Sequence, residues 1–206
     1  MNTDALFKLG YGLYLITAKD EIKDNGCIIN TVMQVTASPN RIVAVVNKSN
    51  YTHDMIKSCG KFNISVLSNE ADFDLIKQFG FVSGKETDKF TGYSDIKRSE
   101  NGLLYLTKKA NAYLSGTVTD MIDVGTHTMF VAELADAQVL NDIPSMTYEY
   151  YHANVKPKAK PQEKIEKKNA YVCKICGFVY HGDSLPEDYI CPICKHGAED
   201  FEKVNA

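Results

Sequence analysis

With 206 residues, 44% hydrophobic and 24% charged, the chain has ordinary globular composition and room for a medium domain beside a small one, which excludes a disordered or fibrous protein. A formal net charge of −3 at pH 7 leaves no global basic field, so nucleic acid is excluded as an expected partner. No stretch approaches the roughly 18 uninterrupted apolar residues of a membrane span, and the opening MNTDALFKLGYGLYLITAKD lacks the pattern of a cleavable leader, so a cytoplasmic protein without membrane contact is expected.

In chain order, a short helix is expected near residues 4–9, then strand-length apolar runs at 12–18, 27–35, 41–47, 61–67, 103–107, 112–119 and 128–140. Two helices interrupt them. Thr52 reads as the N-cap of 53–58, and Ser68 or Asn69 as the cap of 70–79, with Gly80 as the stop. The helices do not alternate with the strands as parallel βαβ units require, so the first 152 residues read as a mainly β barrel or sandwich with a few helices. Residues 153–169, ANVKPKAKPQEKIEKKN, carry two prolines and six lysines and read as a solvated linker. Such a coil spans roughly 20–25 Å root-mean-square and at most ~60 Å. It separates domains 1–152 and 170–206, both acidic: Asp+Glu against Lys+Arg is 18 to 14 in the first and 6 to 3 in the second, whereas the linker has 2 to 6.

Six cysteines in a chain expected in a reducing compartment argue for metal or redox chemistry before disulfides. Cys27 and Cys59 stand alone in apolar surroundings and are expected to be buried and inert. The other four lie in YVCKICGFVYHGDSLPEDYICPICKHGAEDF, where Cys173 and Cys176 form one C-x-x-C and Cys191 and Cys194 another. A two-residue gap lets a tight turn aim two sulfurs at one tetrahedral ion, and two such turns complete an S4 shell. Gly177 can take a left-handed conformation that points backbone N–H groups at a sulfur, which tunes a metal's potential. Spacing alone admits iron or a structural zinc ribbon. Four cysteines close the shell, which leaves His181 and His196 at the surface.

The residues around the cysteines, C-x-x-C-G-F-V-Y and C-P-x-C with Tyr171, Phe178, Tyr180, Tyr189 and Phe201 for a small core, resemble rubredoxin. The 14-residue gap and the Cys194-x-His196 continuation are most similar to the abbreviated rubredoxin domain at the end of rubrerythrins. That resemblance implies one iron held by Cys173, Cys176, Cys191 and Cys194. Two departures bear on the metal: Lys195 stands where full-length rubredoxins usually place a second glycine, and the chain has no tryptophan.

The first domain has no G-x-G-x-x-G after a strand, no P-loop and no H-E-x-x-H. Its segment NGCIINTVMQVTASPNRIVAVVNKSNYTHDMIKSCGKFNISVL, with FGFVSGKETDKF and VGTHTMFVAEL later, resembles the flavin reductase family, which uses an FMN-binding split barrel. The resemblance implies flavin contacts from Asn30, Thr31, Val32, Met33 and Gln34 at a strand end. It implies further contacts from Asn47, Lys48, Ser49, Tyr51, Thr52 and His53 at a helix start, and from Ser83, Gly84 and Lys89 in a covering loop. It also places His127 near flavin and nicotinamide, and it implies a homodimer with flavin near the subunit interface. The side-chain chemistry agrees: amides and hydroxyls suit an isoalloxazine edge, and a helix N-terminus with a lysine suits a phosphate. The plainer reading is that Thr52 merely caps its helix and Lys48 is solvated.

Together the modules resemble the high-molecular-weight rubredoxins. That resemblance implies NAD(P)H or a separate reductase as donor, and as acceptor a flavodiiron protein reducing oxygen or nitric oxide, or another redox protein. Two other readings stay open, a flavin or ferric reductase that releases reduced flavin, and a zinc-ribbon interaction module on a ligand-binding barrel.

Overall fold

A computed structural model of the chain describes residues 2–157, 170–175, 177–191 and 196–204. It divides into two compact units, Met1–Asn154 and Val155–Ala206. Among the described residues no helix is long and apolar enough to cross a membrane.

The first unit opens with a 3-10 turn, Thr3–Lys8, and continues through β1 (Tyr14–Lys19), β2 (Asp24–Ile29), β3 (Val32–Ala37), β4 (Asn40–Asn47), α1 (Tyr51–Cys59), β5 (Lys61–Leu67) and α2 (Phe73–Gly80). There follow β6 (Ile96–Arg98), β7 (Leu104–Leu106), β8 (Ala110–Asp123) and β9 (His127–Val139). A short helical segment, Tyr148–Tyr150, then runs into a π-helical turn, Tyr151–Val155. Seven strands form one antiparallel sheet in the order β2-β1-β5-β8-β9-β4-β3, and β6 and β7 pair separately. The two edge strands, β2 and β3, are consecutive in the chain and joined only by Asn30 and Thr31. The Cα atoms of Ile29 and Val32 therefore lie within about 11 Å, so the sheet edges meet at one end and the sheet must curl.

Curling puts alternate residues inside. Ile16 and Ala18 of β1, Cys27 and Ile29 of β2, Ile42, Ala44 and Val46 of β4, Phe62 and Ile64 of β5, and Phe130 and Ala132 of β9 form one buried cluster. Met55 and Ile56 of α1 close it. Full burial of each large side chain contributes about 1.5–3 kcal/mol. The other face of β1 is buried too, because Thr17 donates to the Leu104 carbonyl at 2.6 Å and so seats the β6–β7 hairpin. Buried Asn63 completes that seat: it donates to Ser99 Oγ at 2.8 Å and the Leu103 carbonyl at 3.0 Å, and accepts from Asn101 and Ser115.

Several boundaries differ from the sequence expectation, the most telling at β2, β3 and the helix starts. The run 27–35 is two strands, because the Thr31 carbonyl accepts from the Val45 N–H at 3.0 Å and turns the chain at Asn30. β2 starts earlier than residue 27, since the Asp20 carboxylate accepts from the N–H groups of Ile22 and Lys23 and closes a tight β1–β2 turn. Neither expected N-cap serves. Asn50 caps α1 and Thr52 lies inside it, while Asp72 caps α2 by accepting from the Leu75 N–H at 3.0 Å. Ser68 and Asn69 instead donate backbone N–H groups to the carbonyls of Lys109 and Pro144, which holds that stretch extended. Cys27 is buried as expected, whereas Cys59 is only partly so.

In the second unit β10 (Ala170–Cys173) lies between β11 (Val179–His181) and β12 (Phe201–Val204). Tyr171, Tyr180, Tyr189 and Phe201 make a chain of ring contacts with centroids 6.3, 4.6 and 5.4 Å apart. Each pair adds about 0.5–1.5 kcal/mol beyond its buried area, which matters in a sheet this small.

Candidate functional site

The ends of β3, β4 and β9 lie side by side. Asn47 pairs with His127, Val45 with Met129, and the Thr31 carbonyl bonds to Val45 one position away. Thr31, Asn47 and His127 thus occupy neighbouring positions at one sheet end. Asn47 also turns the chain there, because its Oδ1 accepts from both the N–H and the hydroxyl of Ser49 at 2.9 Å. Lys48 sits between them, its backbone N–H on the Thr126 carbonyl and its Nζ 2.7 Å from Asp123 Oδ1. That ion pair is exposed and holds the Asp123 carboxyl below its ordinary range. Val32 continues into β3, where Met33 is 57% exposed and Gln34 reaches Asn40 at the far side of the hairpin. Platform and helix start adjoin here. Asn50 gives α1 no side-chain cap bond, although its carbonyl accepts from the His53 N–H.

The remaining expected ligands form a second group behind that helix start. Thr52 is fully buried and its hydroxyl accepts from Asn25 Nδ2 at 3.1 Å. Gly84 is pressed against the Asn25 amide and its carbonyl accepts from Lys23 Nζ. Lys23 also lies over the Tyr51 ring at 5.1 Å, and the Tyr51 hydroxyl donates to Asp20 at 2.7 Å. Those bonds push the Asp20 carboxyl down and the Tyr51 phenol up. Ser83 is exposed, and its carbonyl accepts from the N–H groups of Glu86 and Thr87. Lys89 is 5% exposed and donates to the carbonyls of Gly26 at 2.9 Å and Phe79 at 3.0 Å, so burial pulls its affinity for a proton down. Thr52 and Lys89 therefore tie α1, α2 and the segment before Phe90 to β2.

His53 belongs with them. Its ring is buried, with Nδ1 2.9 Å from Asp54 Oδ1 and Nε2 2.9 Å from Thr128 Oγ1. Asp54, Thr128, Asn25, Lys23 and Asp20 are the residues that sequence reasoning missed. Only Asn25 left a signal, as a polar residue in step with Cys27 and Ile29 on the inward face of β2.

In the second unit Cys173 and Cys191 are buried, 1% and 0% exposed. Gly177 has φ 79°, a conformation that favours glycine, and its N–H bonds to the Cys173 carbonyl at 2.8 Å. The Cys191 N–H bonds to the His196 carbonyl at 2.8 Å. Cys176 and Cys194 lie outside the described residues. His181 and His196 are exposed.

Comparison with known proteins gives two family matches, a flavin reductase-like domain over residues 6–159 and a rubrerythrin, rubredoxin-like domain over 171–202. Across 99% of this chain and 100% of the relative, the sequence is 41% identical to the high molecular weight rubredoxin of Moorella thermoacetica. Across 77% of this chain and 93% of the relative it is 40% identical to the NAD(P)H ferric-chelate reductase of Archaeoglobus fulgidus. The NADH:FAD oxidoreductase of Streptomyces globisporus C-1027 shares the fold with a TM-score of 0.63, at 21% identity over 69% of this chain and 84% of that one.

Proposed function

The chain belongs to the flavin reductase-like family and carries a rubredoxin-like domain behind it, and from this flavin-dependent oxidoreductase framework we propose a single-chain electron carrier. It takes reducing equivalents from NAD(P)H, directly or through a reductase, and passes them through FMN to iron held by Cys173, Cys176, Cys191 and Cys194. The acceptor is a redox protein such as a flavodiiron oxygen or nitric oxide reductase. When bound, flavin takes a hydride as a two-electron unit and a tetrathiolate iron changes by one electron, so the pairing converts one currency to the other.

The observation that carries this reading is the platform of Thr31, Asn47 and His127 beside an α1 start at which Asn50 makes no side-chain cap bond. It fits FMN. Amide and hydroxyl groups of Asn30, Thr31 and Gln34, with the backbone of Val32 and Met33, would meet the ring edge. Lys48, Ser49, Asn47, Tyr51 and the first turn of α1 would hold the phosphate. Ser83 and Gly84 would cover it, and His127 would face both ring and nicotinamide. The plainer reading of Thr52 as a cap is removed by its place inside α1. Exposed Met33, Met121, Ile122 and Val124 support a second copy packing nearby. For the metal, two buried cysteines from separate C-x-x-C turns fit a thiolate shell.

The test is metal and flavin analysis of protein purified without oxygen, then NADH addition in a stopped-flow instrument. Expected are one iron and one FMN per chain, with iron bleaching that trails flavin bleaching. Zinc in natively produced protein, or a first domain that retains no flavin, overturns the proposal. The 40% identity to a ferric-chelate reductase supports a second reading, in which reduced flavin serves an external ferric chelate. It predicts full ferric-citrate reduction in Cys173→Ser.

A further inference from the structure

Asp54, His53 and Thr128 form a hydrogen-bonded chain that ties the first turn of α1 to the first turn of strand in β9, across 75 positions of sequence. A carboxylate only accepts, so Nδ1 donates to Asp54, while Nε2 and the Thr128 hydroxyl share the second bond. The tilted Phe130 ring, 5.6 Å away, walls the imidazole in. Both Thr128 and His53 are at least nine-tenths buried, so the bond is shielded from competing water.

The neighbour of Thr128 is His127. It is the first residue of β9, it follows the turn at Val124, Gly125 and Thr126, and residues 119–126 of the hairpin are all exposed. Strand alternation turns the two side chains to opposite faces: Thr128 points in toward α1, and His127 stands on the outer face beside Asn47. Backbone bonds hold this strand start from outside, from the Val124 N–H to the His127 carbonyl and from the Lys48 N–H to the Thr126 carbonyl, and the Thr126 hydroxyl lies 2.8 Å from His127 Nδ1. The Thr128 hydroxyl adds a hold from inside, next to an exposed turn where a strand start otherwise frays readily.

We propose that His53 is a positioning residue for His127: the Asp54–His53–Thr128 chain anchors the start of β9 and so fixes the His127 imidazole at the platform. The proposal rests on the reading that places His127 against flavin and nicotinamide. A buried hydrogen bond whose loss orphans its partner is worth about tenfold to a hundredfold in an equilibrium, which sets the size of the effect.

The experiment uses the full flavin-loaded chain and four variants: Thr128→Val, His53→Phe, His53→Gln and His127→Ala. Three quantities are read: the flavin bleaching rate at saturating NADH, flavin affinity by fluorescence, and the ¹⁵N ring resonances of His127. T128V and H53F are expected to bleach flavin about tenfold more slowly. Their flavin affinity should stay within about threefold of the parent, and their His127 resonances should move. In H53Q the side-chain amide reaches the place of Nε2, so the rate and the His127 resonances return most of the way. Unmoved His127 resonances in T128V and H53F overturn the anchor, as does an H53Q that behaves like H53F. A fast H127A with displaced resonances in T128V leaves the anchor standing and removes the role given to His127 above.

Discussion

Lys89 shows what one buried cation does to a small fold. The residue is 5% exposed and its ammonium bonds to two carbonyls, while burial pulls its proton affinity below that of a free lysine. The sign follows by linkage. Between the folded value and the ordinary 10.5 the unfolded chain binds more protons, so stability rises with pH across that window and falls as pH drops through the folded value. Lys89→Met removes this slope while leaving two carbonyls short of a donor, at about 1–3 kcal/mol. Urea midpoints of parent and variant from pH 7 to 10 should diverge, the parent gaining on the variant as pH rises. Tyr93, pushed up to about 12 by burial, acts in the opposite sense near the top of that range and cancels in the difference. A difference that stays flat with pH would show that Lys89 is not held in the charged form against a burial penalty.

At the scale of elements, the loop over residues 81–95 is seated by shape. A Cβ on Gly84 would lie 2.3 Å from Asn25 Oδ1, and Asn25 cannot swing aside without giving up its buried bond to Thr52. Gly84→Ala is therefore expected to weaken stability by about 1–3 kcal/mol, the usual range for overpacking, and to loosen flavin retention. Adding Asn25→Ser should restore part of the first loss. A G84A protein with the parent's urea midpoint and flavin affinity would show that the loop does not rest on β2. This contact also marks how far the sequence can be read. The runs that became β1, β4 and β5 are legible because apolar residues recur there at least at every second position, and the cysteine pairs are legible because the C-x-x-C spacing is itself a local signal. The start of α1 is not legible. Ser49, Asn50 and Thr52 all have capping side chains, and the choice among them falls to Asn47, whose amide turns the chain at Ser49. Likewise the run 27–35 is mostly apolar, and the turn at Asn30 comes with a Thr31 bond to β4 that no local pattern records. The His53–Thr128 bond joins residues 75 apart and depends on β9 pairing with β4, so its partners emerge only once the sheet order is known.

For the whole molecule, the proposed transfer between domains meets a problem of charge that the covalent join would answer. The segments 1–152 and 170–206 each carry an excess of carboxylates, 18 against 14 basic residues and 6 against 3. As separate proteins two such bodies repel over roughly a Debye length of 8–10 Å and meet more slowly than neutral ones. On the proposed function, a tether through 153–169 would remove the need for encounter, with an effective concentration of about millimolar. Iron bleaching in the intact chain should therefore be first-order and independent of protein concentration. Cleavage at a protease site introduced into 153–169 releases the pieces to bulk concentration; at about 10 µM that is about a hundredfold below the tethered value. Bleaching should then slow by about that factor, scale with concentration, and speed up as added salt screens the repulsion. An intact chain whose iron bleaches in proportion to protein concentration would mean that electrons cross between molecules, and the tether would have to serve something other than transfer.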